Sequence, residues 1–211
     1  MNSSFLSTIL STTDDITQRI FFVFRARGDR HYGENVSELQ HALQCAEFAS
    51  RAGESDAIVL ACLLHDYGHL LHDLGEQIAE QGIDARHEEL GATLLTPYFP
   101  PSILEPIRQH VAAKRYLCLK DPMYARALSD SSQRSLQLQG GPMSPDEATE
   151  FETNPHFHAC ITVRIYDDKA KVLDMPTRPL ESYENLIRRF ASQPDTATHH
   201  GSSGITDTSI H

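Results

Sequence analysis

No run in the 211-residue sequence is apolar for long enough to cross a bilayer as a helix. The opening MNSSFLSTILSTTDD also lacks the basic start and cleavage-site pattern of an export signal. Positive charge is scarce: 18 Lys and Arg stand against 29 Asp and Glu, a net charge of -11. That balance excludes a general attraction to nucleic acid or to an anionic membrane, so an anionic substrate needs its own local cluster of cations. Cysteine is sparse as well. The four, Cys45, Cys62, Cys118 and Cys160, are scattered and lie mostly in apolar runs, which excludes a disulfide framework and suits reduced core residues of a cytoplasmic protein. No pair of alternating segments flanks a hairpin turn, and no low-complexity block interrupts the chain before its end.

What is present is helical periodicity. Leu39, Leu43 and Ala46 share a stripe within 36–52, with Ser37 placed to cap the start and Gly53 to stop the helix. The segment DAIVLACLLHDY, Asp56 to Tyr67, is apolar on nearly all sides and predicts a buried central helix whose last turn Gly68 weakens. A third helix is expected from His87 to Tyr98 and a fourth from Ser102 to about Leu117, with Pro106 in its first turns where a missing donor costs little. Asn154 or Pro155 opens a long late helix through Cys160, Val163 and Tyr166. The polar stretch from Asp130 to Pro145, with Gly140-Gly141-Pro142, reads as a folded loop holding a short helix. The fold class is therefore all-α: a single helical bundle over residues 1–191, followed by a disordered tail over 192–211. The tail histidines His199, His200 and His211 carry little functional weight.

Several ionisable residues sit inside apolar segments. His41 lies in SELQHALQCA, His65 and Asp66 in ACLLHDYGH, His69 one turn later, His87 in HEELGA, His110 in HVAAKRY and Asp167 in VRIYDDK. One histidine on an apolar helix is ordinarily a hydrogen-bonded core residue. Burying this many polar groups costs a few kcal/mol each unless they are paired or bind metal, and a shared metal site accounts for all of them together. Imidazole and carboxylate without thiolate suit iron, manganese or zinc. Adjacent His65 and Asp66 can address one site, and the carboxylate can bridge two cations. Six ligands for two metals leave positions open, as catalysis requires.

The pattern H…HD…D resembles the HD-domain superfamily, and the two further histidines resemble its two-metal branch. ENVSELQHALQCA, LLHDYGH, HVAAKRYL, LSDSSQRSLQLQGGPM and VRIYDDK together resemble its phosphonate-degrading oxygenases, from Tyr32 to Lys171. The resemblance implies an HD-domain bundle in which His41, His65, Asp66 and Asp167 hold one iron, Asp66 bridges, and His87 and His110 complete the second. It also implies a phosphonate pocket of His69, Lys114, Ser132, Ser135 and Arg164, with Asp66, His69 and Lys114 as the catalytic group. Lys114 follows His110 by one turn and Arg164 precedes Asp167 by three residues, so helix geometry supports both placements; the alternative is that they are surface charges. A mobile tyrosine-glutamate segment ahead of the first histidine corresponds to Tyr32 and Glu34, the glutamate meeting the substrate amine. Here the tyrosine stands two residues before the glutamate where the family has it three before, which leaves the N-methylation state of the substrate open. Tyr32 and Tyr98 can offer cation–π contacts to a quaternary ammonium, or be ordinary packing tyrosines.

The implied activity is that of a mixed-valent Fe(II)/Fe(III) oxygenase using O2 as co-substrate. It cleaves the carbon–phosphorus bond of a small anionic organophosphonate, with no nucleic-acid or membrane partner. Two rivals remain: hydrolysis of a phosphate ester by metal-activated water, and a metal-bound sensor or interaction module without turnover.

Overall fold

The computed structural model describes residues 4–31, 33–76 and 81–192. Among the described residues there is no strand, and the chain is all-α as its periodicity predicts. Eleven α-helices are described: α1 Ser4–Thr12, α2 Ile16–Arg27, α3 Glu38–Arg51, α4 Asp56–Leu64, α5 His87–Leu95, α6 Pro101–Lys120, α7 Pro122–Ala127, α8 Asp130–Leu138, α9 Pro145–Glu152, α10 Phe157–Lys169 and α11 Glu184–Phe190. No described helix is long and apolar enough to cross a membrane.

Local chemistry sets most helix ends. Ser37 accepts from Gln40 N–H while the Gln40 side chain returns to the Ser37 N–H, a capping box that starts α3. Ser55 accepts from Ile58 N–H and opens α4. From Ile58 to Leu64 every residue of α4 is buried, so it is the axis against which α3, α6 and α10 pack. The leucines among them, Leu60, Leu63 and Leu64, are fully buried, each burial stabilising by about 1.5–3 kcal/mol. That apolar contribution offsets the cost of the polar cluster at the C-terminal end of the same helix.

The central helix ends earlier than its sequence suggests. It stops at Leu64, the chain turns through His65 and Asp66, and a 3-10 turn runs over Tyr67–Leu70. Gly68 explains the change of course: a Cβ there would lie 1.9 Å from the carbonyl oxygen of His87. Gly91 makes the matching approach, its would-be Cβ 3.1 Å from Gly68 N. Two glycines thus let the start of α5 lie directly on the turn carrying Asp66.

One further expectation is corrected. Pro106 is the sixth residue of α6, past the four free N–H groups of the first turn, so the helix gives up one internal bond there. The stretch expected as a folded loop holding a short helix has that form: α8 occupies its first nine residues, capped by Ser129 accepting from Ser132 N–H, and Gly140 and Gly141, at φ +93° and +74°, then turn the chain into α9. The N-terminal α2, capped by Asp15, was not among the expected helices, yet it buries Ile20 and Val23 completely. All four cysteines are buried and free, as expected. Tyr32 and the tail 193–211 lie outside the described residues, and so do the expectations placed on them.

Candidate metal centre and anion pocket

The six expected ligands meet at one place. His41 comes from α3, His65 and Asp66 from the end of α4, His87 from the first position of α5, His110 from the middle of α6 and Asp167 from α10. Five of them are nearly inaccessible, His65 completely so. Asp66 stands between two histidine pairs. Its Oδ2 is 3.4 Å from His41 Nε2 and 3.2 Å from His65 Nε2, while its Oδ1 is 3.1 Å from His87 Nε2 and 3.3 Å from His110 Nε2. Asp167 Oδ1 closes the first group at 3.3 Å from His41 Nε2.

The tautomers follow from the hydrogen bonds on the far side of each ring. His41 Nδ1 donates to the carbonyl of Ala170 at 2.8 Å, His65 Nδ1 to Cys62 at 2.8 Å and His110 Nδ1 to Ile107 at 2.7 Å. His87 Nδ1 faces the Glu88 carboxylate at 3.4 Å. A carbonyl only accepts, so Nδ1 carries the hydrogen and the Nε2 lone pairs point inward. His41 and His65 Nε2 are then 3.1 Å apart, and His87 and His110 Nε2 3.0 Å apart. Two lone pairs at that distance repel unless a proton or cation lies between them. Neighbouring ligands of a six-coordinate ion with bonds of about 2.1 Å stand about 3.0 Å apart. The residues present therefore fit a pair of divalent or trivalent cations.

Electrostatics agrees. Burial opposes ionisation of Asp66, but His65 and the facing histidines hold its carboxyl well below the usual range. Burial likewise opposes ionisation of Asp167, and Arg164 with His41 overcomes it. In return His41, despite burial, is pushed up to about 9 by Asp167 and Asp66, and His65 is raised well above its ordinary value. Without metal, protons take the place of the cation. His110 goes the other way: burial and the neighbouring His87 outweigh Asp66 and lower it.

The centre opens into a cleft of about 880 Å³, counting the part open to solvent. Lys114 and Arg164 line it, each only 3% exposed, so neither is the surface charge of the alternative reading. Lys114 Nζ donates to Ser135 Oγ at 2.8 Å; burial first and Arg164 second lower this amine to about 7. Arg164 Nη1 meets Asp167 Oδ2 at 2.8 Å, Nη2 pairs with Asp168, and Nε donates to Tyr124 Oη at 3.1 Å. This guanidinium both lines the cleft and holds the Asp167 carboxylate in its orientation. Ser132, Ser135 and Glu34 also line the cleft. His69 stacks on His87 with ring centroids 3.8 Å apart, and Asp66, His69 and His87 form a second group with metal-holding spacing.

One expected residue does not arrive. Tyr98 stands outside the cleft, its hydroxyl accepting from Arg19 Nη1 at 2.8 Å, because the turn after α5 carries it toward α2. Other residues escaped the sequence reading. Tyr124 and Asp168 hold Arg164, and only the i, i+4 spacing of Arg164 and Asp168 hinted at it. Glu38, one turn before His41, is a buried carboxyl lining the cleft, pushed up to about 8 by burial and by Asp66. Lys171 Nζ reaches Glu34, Ser129 and Ser132; its distance of four residues from Asp167 was the available signal.

Residues 39–147 match the HD domain family. The chain is 40% identical over 180 residues to [1-hydroxy-2-(trimethylamino)ethyl]phosphonate dioxygenase (glycine-betaine-forming) of Leisingera caerulea, covering 85% of this chain and 92% of that one. It is 39% identical over 184 residues to hydroxymethylphosphonate dioxygenase of Gimesia maris, covering 85% and 90%. An uncharacterized protein of Acanthamoeba polyphaga mimivirus is 37% identical over 168 residues, covering 79% and 77%. The chain belongs to the HD-domain family.

Proposed function

We propose that this HD-domain protein is a non-haem di-iron oxygenase. It uses O2 to cleave the carbon–phosphorus bond of a 1-hydroxy-2-(amino or trimethylammonio)ethylphosphonate, releasing phosphate with glycine or glycine betaine. The relatives named as phosphonate dioxygenases support the reaction class. The observation that carries the reading is Asp66, with one carboxylate oxygen turned to each histidine pair beside a cleft lined by two buried cations. The products together hold the substrate's atoms plus one O2, so the reaction needs no external reductant.

In this account His41, His65, Asp66 and Asp167 would hold one iron, and His87 and His110, with Asp66 shared, would hold the other. Iron in two valences would supply the one-electron chemistry with O2 that no side chain can provide. The protein's own residues bind and orient. Arg164 and protonated Lys114 receive the phosphonate oxygens, and Ser132 and Ser135 add hydroxyl donors. His69, lowered well below its ordinary value by burial and by His87, stays neutral beside the metals and can donate one hydrogen bond without adding charge.

The test is phosphate release by iron-loaded protein from the aminoethyl and trimethylammonioethyl substrates, with and without O2. The expected result is one phosphate per O2 consumed and none under anaerobic conditions. Phosphate released without O2 moves the protein to the hydrolytic class.

A further inference from the structure

Lys171 lies just beyond α10, and it lines the same cleft as Lys114 of α6. Its Nζ donates to Glu34 Oε1 at 2.7 Å, to Ser132 Oγ at 3.1 Å and to Ser129 Oγ at 3.2 Å. Ser129 Oγ donates to the same Glu34 oxygen at 2.7 Å. Both charged side chains line the cleft and are about one-fifth exposed, at 18% and 23%. The other acidic groups there are differently engaged. Asp66 and Asp167 face the histidines, Glu76 accepts from the His31 N–H at 2.7 Å, and Asp84 accepts from the Arg86 N–H at 3.0 Å. Burial pushes Glu38 toward its neutral form. Glu34 is thus a cleft carboxylate whose partner is a flexible side chain of this same protein.

We infer that Lys171 is a specificity-determining residue: by neutralising Glu34 it sets how strongly the cleft discriminates between phosphonates with a cationic side group and those with none. The inference rests on the oxygenase reading above. A substrate ammonium approaching Glu34 meets a like charge and must displace an existing ion pair, whereas an uncharged side group leaves the pair intact. An ammonium with N–H groups can replace the lysine's hydrogen bonds to Glu34, and a trimethylammonium cannot. With Lys171 in place, the cleft therefore tolerates a phosphonate that lacks nitrogen altogether.

The experiment compares kcat/KM of the iron-loaded wild type, Lys171→Met, Lys171→Arg and Glu34→Gln on hydroxymethylphosphonate, the aminoethyl substrate and the trimethylammonioethyl substrate. Lys171→Met is expected to raise the ratio of cationic to uncharged substrate about tenfold, mainly through KM, by leaving Glu34 unpaired. Lys171→Arg keeps the charge and should keep the wild-type ratio. Glu34→Gln should move the ratio the opposite way, because the Lys171 charge then stands uncompensated. The inference is overturned if Lys171→Met changes all three substrates by one factor, or if the Lys171→Met and Glu34→Gln ratios move in the same direction. Should Lys171→Met not fold, the Glu34→Gln and Lys171→Arg ratios decide alone. A wild type that cleaves none of the three overturns the oxygenase reading instead, a result distinct from an active wild type with an unmoved ratio.

Discussion

The two halves of the metal centre are built differently. The half made by His41, His65 and Asp167 draws on α3, α4 and α10, whose other residues form the main core. With Asp66 it offers four donor groups, two of them carboxylates, and both imidazoles are fixed by backbone carbonyls at 2.8 Å. The half made by His87 and His110 has only Asp66 as carboxylate, and the His87 ring is held at the longer 3.4 Å by Glu88. His87 also follows Arg86, a non-glycine residue at φ +46°. Burial opposes its charging, but Asp66 raises the imidazole, with Lys114 a smaller opposing charge. On the reading proposed above, the first half, with two carboxylates, would be the firm one that anchors, and the second, with one, the loose one that reacts.

The largest test of that division removes one imidazole from each side. His65→Ala should lose both ions and about 2–3 kcal/mol of stability, because it empties a fully buried position in the core. His110→Ala should lose one ion and keep the other. Metal analysis with thermal unfolding reads both, and equal loss from the two variants breaks the comparison. Gly68→Ala acts next, since its Cβ would meet the His87 carbonyl at 1.9 Å and force α5 away from Asp66. The loose half should then lose its ion and activity should fall by more than about tenfold, with the firm half still loaded and about 1–3 kcal/mol of stability lost.

Much of this was legible beforehand because ionisable residues in apolar helices stand out. One such histidine has an ordinary reading as a hydrogen-bonded core residue, but six histidines and aspartates in runs such as ACLLHDYGH do not, and these six converge. Helix periodicity placed α3, α4, α6 and α10 for the same reason. The residues that support them gave little signal beyond helical spacing. Tyr124 reaches Arg164 across 40 positions and Lys171 reaches Glu34 across 137, contacts that no local pattern encodes. Tyr98 failed in the other direction: a tyrosine's chemistry was plain, but its direction depends on how α5 ends, where the Tyr98 N–H bonds the Leu95 carbonyl at 3.0 Å and the hydroxyl meets Arg19.

Two pH dependences sharpen the comparison further. Lys114 serves the open side, and burial with Arg164 lowers its amine to about 7, so it is charged below that pH and neutral above. kcat/KM for a phosphonate should fall by up to about tenfold per pH unit above 7. Lys114→Arg, charged throughout, should remove that fall, and an unchanged profile in the variant contradicts the role. The smaller effect belongs to the firm half. In the metal-free protein His41 is held near 9, above its ordinary 6.5, by Asp167 and Asp66 acting against burial. Its contribution to stability is complete below pH 6.5 and is lost as pH rises through 9. Chemical denaturation of metal-free protein between those values should show the loss, and metal-loaded protein should not, because the ion replaces the proton.

The most direct measurement is electron paramagnetic resonance of partly oxidised protein loaded with two irons per chain, wild type against Asp66→Ala. The bridge predicts a signal from a magnetically coupled Fe(II)/Fe(III) pair in the wild type. In Asp66→Ala that signal should vanish, with iron bound only in the His41 half and activity lower by more than about 100-fold, beyond what outer-shell changes cost. A coupled pair that survives in Asp66→Ala, or two uncoupled irons in the wild type, contradicts the account.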